Sequence, residues 1–154
     1  MTIDKSGKFW KGTDAADLDE LVPAFAAGGY AVERMVHSRC AECGGTTFAL
    51  RVDDEGGYAD RRCVACSRVV YMLDSAEYID DANPEECACP CGGEEFELAV
   101  GFAMADVANA EGSRVGREVK WVSIGARCAR DGTLGVFADW KIDSGPTDHF
   151  FRGA

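Results

Sequence analysis

Two closely spaced cysteine pairs constrain the fold of this chain more than any other feature of its sequence. The pairs Cys40-Ala-Glu-Cys43 and Cys63-Val-Ala-Cys66 are separated by nineteen residues, enough for two strands and a turn. Each C-x2-C pair holds two sulfurs on one tight turn, and an antiparallel hairpin between the pairs brings four thiolates into the tetrahedron that Zn²⁺ prefers. The sequence therefore predicts a zinc site with the ligands Cys40, Cys43, Cys63 and Cys66.

The choice between metal and disulfides depends on where the chain resides. Residues 1–12 are polar and lack the apolar core of a secretory signal, and no run of about 18 apolar residues is present to cross a membrane. We therefore expect a cytoplasmic protein without membrane association. Thiols stay reduced in the cytoplasm, so the eight cysteines are expected to bind metal and not to form disulfides.

A second segment repeats the first. Cys91–Val100 aligns without gaps on Cys43–Val52, with six of ten positions identical, and Arg127-Cys128 aligns on Arg62-Cys63. The hairpin of the second copy is longer by seventeen residues. Self-similarity of this kind predicts an internal duplication.

The second copy differs at its ligand positions, where two ligand sets are open. Asp131 stands where the first copy has Cys66. Four thiolates are usual in a closed structural zinc site, but three sulfurs in one C-x-C-x-C run strain the backbone. We favour an all-cysteine set, with Asp131 as the alternative fourth ligand in place of Cys87; a third alternative is a second copy without metal. The candidate ligands are Cys87, Cys89, Cys91, Cys128 and Asp131.

The first unit resembles zinc ribbons in general, a resemblance that implies a fold and not a function. Together with the run Asp131–Asp143, which ends near His149-Phe150-Phe151, the two units resemble an uncharacterised family of small bacterial zinc-ribbon proteins. This resemblance covers most of the chain. It implies a bacterial source and brings no activity with it.

The pattern predicts a small α+β fold, mostly antiparallel β, with two tandem zinc-ribbon-like β units after an N-terminal helix. Residues 1–37 form an arm, a helix and a strand, residues 38–82 the first ribbon, and residues 83–154 a divergent second ribbon with an extended hairpin. Residues 105–118 are expected to form a polar loop in that hairpin. The helix begins near Thr13 or Asp14 and ends at Gly28-Gly29. Its apolar stripe is predicted to face the core: Leu18, Leu21, Val22 and Phe25.

The charge of the chain is concentrated in one segment. Residues 69–113 contain eleven acidic residues and no Lys or Arg, whereas the remainder has sixteen of each sign, so the net charge of −11 resides there. A protein that binds a nucleic-acid duplex needs a basic surface, which this chain lacks overall. We therefore favour a non-catalytic zinc protein that acts as a protein-interaction or regulatory module and meets a basic protein partner.

Two other classes remain open. A binder of single-stranded nucleic acid or of the transcription machinery would use a basic and aromatic strip in the second hairpin. A zinc enzyme is the least favoured class, because the chain has only two histidines, His37 and His149, and contains no Gly-x-Ser-x-Gly, P-loop or His-Glu-x-x-His motif. We predict no catalytic residues. The basic strip comprises Arg114, Arg117, Lys120, Trp121, Arg127 and Arg130.

Overall fold

The strands of the chain belong to one antiparallel sheet in the computed structural model, which describes residues 3–108, 111–112, 114–142 and 148–154. The strands are β1 (Arg34–His37), β2 (Phe48–Asp53), β3 (Tyr58–Cys63), β4 (Val69–Tyr71), β5 (Glu85–Glu86), β6 (Phe96–Ala108), β7 (Arg114–Cys128) and β8 (Leu134–Lys141). The main path runs β4-β3-β2-β6-β7-β8, while β1 pairs with β6 and β5 pairs with β2. With one N-terminal α-helix, this architecture confirms the predicted α+β, mostly antiparallel class.

The helix α1 (Leu18–Ala26) follows a 3-10 turn at Ala15–Asp17. Asp14 caps that turn, because its side chain accepts the backbone N–H of Ala16 at 2.9 Å. Two further 3-10 turns lie at Ser75–Glu77 and Asp148–Phe151. Among the described residues, no helix has the length and apolar content that a membrane span requires.

Only part of the predicted apolar stripe of α1 faces the core. Leu18 and Val22, one turn apart, are completely buried. Phe25, predicted to share their face, is 55% exposed. That prediction was wrong: Phe25 lies in the last turn of the helix, and residues 27–30 that follow it are exposed as well.

Two glycines of the long hairpin make room for α1. A Cβ atom at Gly101 of β6 would lie 2.7 Å from Cγ1 of Val22, and one at Gly125 of β7 would meet Cγ2 of the same side chain. Val22 therefore sits directly on the backbone of β6 and β7. Any larger residue at either position has to displace the helix.

Two hairpins meet at a single pair of aromatic residues. In the first hairpin Phe48 pairs with Cys63, and in the second Phe96 pairs with Cys128. Phe48 and Phe96 are in turn directly opposite each other, in the antiparallel contact between β2 and β6. Both phenylalanines are buried in one apolar cluster that spans the two hairpins. The segments proposed from the sequence, residues 1–37, 38–82 and 83–154, all contribute strands to the same sheet.

The second hairpin extends further than the sequence indicated. Residues 105–118 were expected to form a polar loop, but β6 runs to Ala108 and β7 begins at Arg114. Cross-strand ion pairs hold this extension together, since the Arg117 guanidinium lies 3.1 Å from Asp106 and also contacts Glu33. The expected loop is therefore wrong for most of its length.

Candidate metal centres

The first four predicted ligands come together at one end of the first hairpin. All four sulfurs of Cys40, Cys43, Cys63 and Cys66 lie within 4.8 Å of one another. Two of the separations are 3.5 Å, from Cys40 to Cys66 and from Cys43 to Cys63. Thiolates at about 2.3 Å from a tetrahedral ion are about 3.8 Å apart, whereas a disulfide needs about 2.0 Å. The four sulfurs are therefore spaced for a metal ion, and we call them the first cluster.

Two turns hold the sulfurs of the first cluster. In one turn the Cys40 N–H donates to the Gly45 carbonyl at 2.8 Å, and the Gly44 N–H donates back to Cys40 at 2.9 Å. In the other, the Cys63 N–H donates to the Arg68 carbonyl at 2.9 Å. The turns need left-handed backbone, which Gly44 supplies with φ of 75°. The spacing of each C-x2-C pair thus follows from a short hydrogen-bonded turn.

The backbone of these turns also favours deprotonated sulfur. The Cys43 N–H points at the Cys40 sulfur and lowers the pKa of that thiol to about 6, against the opposing effect of desolvation. The Cys66 N–H lowers the pKa of Cys63 in the same way. Thiolate is the form that binds metal, so the turn backbone favours the metal-binding form of Cys40 and Cys63, while the neighbouring sulfurs raise the pKa of Cys43 and Cys66.

A buried arginine lies behind the first cluster. Arg61 is 4% exposed, and its guanidinium stands 4.6 Å from the ring centre of Phe48. Its Nε donates to the Ala154 carbonyl, while its Nη1 has no hydrogen-bond partner among the described residues. Burial lowers the pKa of Arg61, and the thiolates of Cys40 and Cys63 oppose that effect. The guanidinium therefore places a positive charge beside a cluster that carries excess negative charge when it binds a divalent ion.

The second cluster contains the alternative ligand set. Ligand atoms of Cys89, Cys91, Cys128 and Asp131 all lie within 4.8 Å of one another. Cys91 and Cys128 sulfurs are 3.7 Å apart, and the Cys89 sulfur is 3.5 Å from Oδ1 of Asp131. The carboxylate thus occupies the place that the fourth sulfur, Cys66, has in the first cluster.

The favoured ligand Cys87 is not one of this group. Its backbone N–H donates to the Leu50 carbonyl at 2.9 Å, which continues the pairing of β5 with β2 and holds the residue against the first hairpin. The side chain is 7% exposed, and burial raises the pKa of its thiol to about 12. The structure therefore does not assemble the all-cysteine set. The gap-free alignment of Asp131 on Cys66 was the signal in the sequence that pointed to the observed group.

The two clusters rest on matching backbone. Cys89 and Gly93 share a 2.8 Å hydrogen bond as Cys40 and Gly45 do, and the Cys128 N–H donates to Thr133 at 2.9 Å, as Cys63 does to Arg68. A Cβ at Gly93 would lie 3.0 Å from the Cys128 sulfur, much as one at Gly45 would lie 3.1 Å from Cys63. Both glycines let the chain pass close to two sulfurs. The turn residues that correspond are, in the first cluster, Cys40, Gly45, Cys63 and Arg68 and, in the second cluster, Cys89, Gly93, Cys128 and Thr133.

Asp131 is fixed as a carboxylate. Its Oδ1 accepts the backbone N–H of Thr133 at 2.9 Å, and Oδ2 lies 3.7 Å from Nζ of Lys11. The Thr133 hydrogen bond holds the pKa of Asp131 well below its usual range. An ionised carboxylate oxygen is a competent ligand for a divalent metal beside three thiolates. No motif or spacing pointed to Lys11, which reaches this site from the other end of the chain.

The remaining candidates lie in ordinary surface contacts. Nε2 of His37 is 2.8 Å from Oδ1 of Asp19, outside both clusters. In the basic strip, Arg127 pairs with Glu97 at 2.6 Å, and Trp121 stacks on Tyr30 at 5.2 Å between ring centres. The side chains of His149 and Arg114 fall outside the described part of the structure.

Comparisons with other proteins give no assignment. No protein-family model matches the chain, and no curated protein or solved structure matches it either. The resemblance to a zinc-ribbon family therefore stays a prediction. A proposed function therefore has to start from the two clusters.

Proposed function

We propose that this chain is a non-catalytic zinc-binding protein in which both clusters bind Zn²⁺, and that it acts as a protein-interaction or regulatory module. The observation that carries the proposal is the presence of two groups of four ligand atoms, each within 4.8 Å. Four ligands leave no open position at the ion, as in structural rather than catalytic zinc sites. Thiolate-rich tetrahedral sites favour zinc or iron–sulfur centres over hard cations.

The metal part of the proposal has a direct test. Protein purified under reducing conditions, without added metal, is analysed by inductively coupled plasma mass spectrometry and by native mass spectrometry. We expect two zinc ions per chain and no visible absorption from iron–sulfur charge transfer. A chain that holds neither zinc nor another metal would contradict the proposal, and a coloured iron-containing protein would reassign the metal.

Acidic side chains on the surface support a basic protein partner. Glu86 of β5 lies between two recesses of the surface. The first recess is lined by Glu94 and Glu95 but also by Arg51 and Arg62. The second recess has no Lys or Arg in its lining, and its carboxylates besides Glu86 are Asp53, Asp54, Glu55 and Glu85. Clustered charge of one sign attracts a partner of the opposite sign and accelerates the encounter. The second recess, which contains only acidic charged side chains, therefore suits a Lys- and Arg-rich protein segment.

The nucleic-acid alternative has weaker support. Two arginines of the basic strip already pair with carboxylates, Arg117 with Glu33 and Asp106, and Arg127 with Glu97. Phosphate contacts by these side chains would have to replace those ion pairs. Fewer arginines of the basic strip are therefore available for phosphate groups than its composition indicated.

A single binding assay separates the two classes. Fluorescence anisotropy at physiological salt compares a Lys-rich peptide with a single-stranded oligonucleotide of similar length. We expect binding of the peptide, weakened severalfold in the double variant Glu85→Gln/Glu86→Gln. The matched control is Asp80→Asn/Asp81→Asn, which removes two exposed acids that line neither recess. Preferential binding of the oligonucleotide would support the alternative instead.

A further inference from the structure

The second cluster is covered by a segment from the start of the chain. Residues 3–12, the N-terminal arm, form a small antiparallel loop in which Lys11 bridges both Asp4 and Thr133. The Gly12 N–H donates to the Gly132 carbonyl at 2.8 Å, and the Leu134 N–H donates to the Trp10 carbonyl at 2.7 Å. The arm therefore adds backbone hydrogen bonds to the turn that carries Asp131.

One carboxylate joins the arm to the cluster. Oδ2 of Asp131 lies 3.7 Å from Nζ of Lys11, whereas Oδ1 faces the Cys89 sulfur at 3.5 Å. A second link starts next to the ligand Cys128, where Nε of Arg127 donates to the Gly12 carbonyl at 3.1 Å. The arm is thus linked to two ligands of a metal in this cluster. It contacts Asp131 directly through the Lys11 ion pair, and it contacts Cys128 indirectly through the neighbouring residue Arg127.

The turn that carries Asp131 has a glycine, Gly132, where the arm passes closest to it. Gly132 has φ of 79°, and a Cβ there would lie 2.5 Å from the Gly12 carbonyl oxygen. The corresponding residue of the first cluster is Ser67, which has φ of 68° and is exposed. A side chain is accommodated at Ser67 because no arm crosses that turn, whereas at Gly132 the arm passes in direct contact.

We propose that the N-terminal arm is a strap whose docking and metal binding at the second cluster reinforce each other, with Lys11 as the residue that positions Asp131. This inference rests on the proposed metal binding. Metal fixes Asp131 and the turn to which the arm is hydrogen-bonded, and the docked arm holds the carboxylate at the ligand position. Coupling of two binding events is reciprocal, so each strengthens the other by the same factor.

Release of the strap changes what the molecule exposes. Trp10 of the arm packs against a small apolar cluster of Leu18, Ala99 and Leu134. Undocking the arm uncovers those side chains, next to the helix α1. Metal supply at the second cluster therefore controls access to an apolar surface, while the first cluster keeps the first hairpin folded.

The test of Lys11 uses the full chain and two matched variants. Lys11→Met removes the charge beside Asp131, and Lys8→Met removes a charge from the same arm that lies 5.5 Å above the Phe9 ring. Co²⁺ is loaded in place of the native metal and then withdrawn stepwise by a chelator. Sulfur-only and mixed sulfur–oxygen sites have different Co²⁺ ligand-field bands, so the loss of metal from each cluster can be followed separately. We expect Lys11→Met to weaken the second cluster by about tenfold and Lys8→Met to leave it unchanged, with the first cluster unaffected in both.

Hydrogen exchange gives an independent readout. The amides of Gly12 and Leu134, which join the arm to the turn, are expected to exchange about tenfold faster when Cys91→Ser empties the second cluster. Unchanged exchange of these amides, or wild-type metal affinity in Lys11→Met, would overturn the strap. A wild-type chain that binds only one metal, at the first cluster, would instead overturn the proposed second zinc site.

Discussion

The first and second clusters share a backbone and differ in what surrounds it. In the first, Leu50 pairs across the hairpin with Arg61, whose buried charge stands behind the sulfurs. In the second, Leu98 pairs with Ala126, and the positive charge comes from Lys11 on the outer side. The negative charge of the first cluster is thus compensated by a buried arginine, and that of the second cluster by a lysine at the surface. The comparison shows that the turns fix ligand geometry, while neighbouring side chains decide how the charge is compensated.

The largest expected effect is the loss of the first cluster. Cys63 is completely buried, and Cys63→Ser removes one of the four sulfurs of the first cluster. Metal binding contributes about 10–16 kcal/mol to folding in small zinc domains. We expect the loss of one metal and a melting temperature lower by about 10–20 °C in calorimetry. An unchanged melting curve would mean that the first metal is not structural.

The ligand set of the second cluster is tested by a pair of variants. Asp131→Ala is expected to lower the metal content from two ions to one, because Asp131 is the fourth ligand atom in the cluster. Cys87→Ser is expected to retain both ions, since Cys87 lies outside it. Native mass spectrometry measures both. The opposite pattern would restore the all-cysteine ligand set.

Arg61 offers a sharper test of the comparison. Arg61→Met removes the buried charge behind the first cluster, and we expect about tenfold weaker metal binding there. Chelator competition should show no change at the second cluster, where the equivalent residue is already Ala126. Arg61→Lys should recover part of the affinity. If Arg61→Met lowers stability without changing metal affinity, the arginine acts through packing alone.

The smallest effect concerns the left-handed residue in the second turn of each cluster, Ser67 in the first and Gly132 in the second. Ser67 has φ of 68°, which costs an L-amino acid about 1 kcal/mol, while glycine increases the entropy of the unfolded chain. We expect Ser67→Gly to stabilise by about 0.5 kcal/mol in urea denaturation. Gly132→Ala should destabilise, since the new Cβ meets the Gly12 carbonyl. Equal effects at the two turns would contradict the role assigned to the arm.

Local patterns made the ligands and the fold class predictable. A C-x2-C turn is a short-range structure, so its spacing already fixes the positions of two sulfurs. Two fourth ligands stayed open for the second cluster, because ligand softness favoured Cys87 and the alignment on Cys66 favoured Asp131; the structure groups Asp131 with the other three ligand atoms. Phe25 was misjudged because periodicity marks a helix face but not how far along the helix that face is buried.

Arg61 and Lys11 illustrate what sequence patterns leave out. Residues of a strand alternate between its faces, so Arg61 shares the face of Cys63, and this signal could have indicated its position near the first cluster. Lys11 gave no such signal, because 119 residues of chain lie between it and Asp131. Contacts at that distance depend on the whole topology.

The contact between α1 and the two glycines of the long hairpin has a consequence for the order of folding. Val22 rests on Gly101 and Gly125, so the surface that receives the helix exists only after β6 and β7 have paired. Synthesis proceeds from the N-terminus, and the helix therefore leaves the ribosome before its seat has been made. Contacts between distant parts of a chain form slowly. We therefore expect α1 to dock only after β6 and β7 have paired, although it is made long before them.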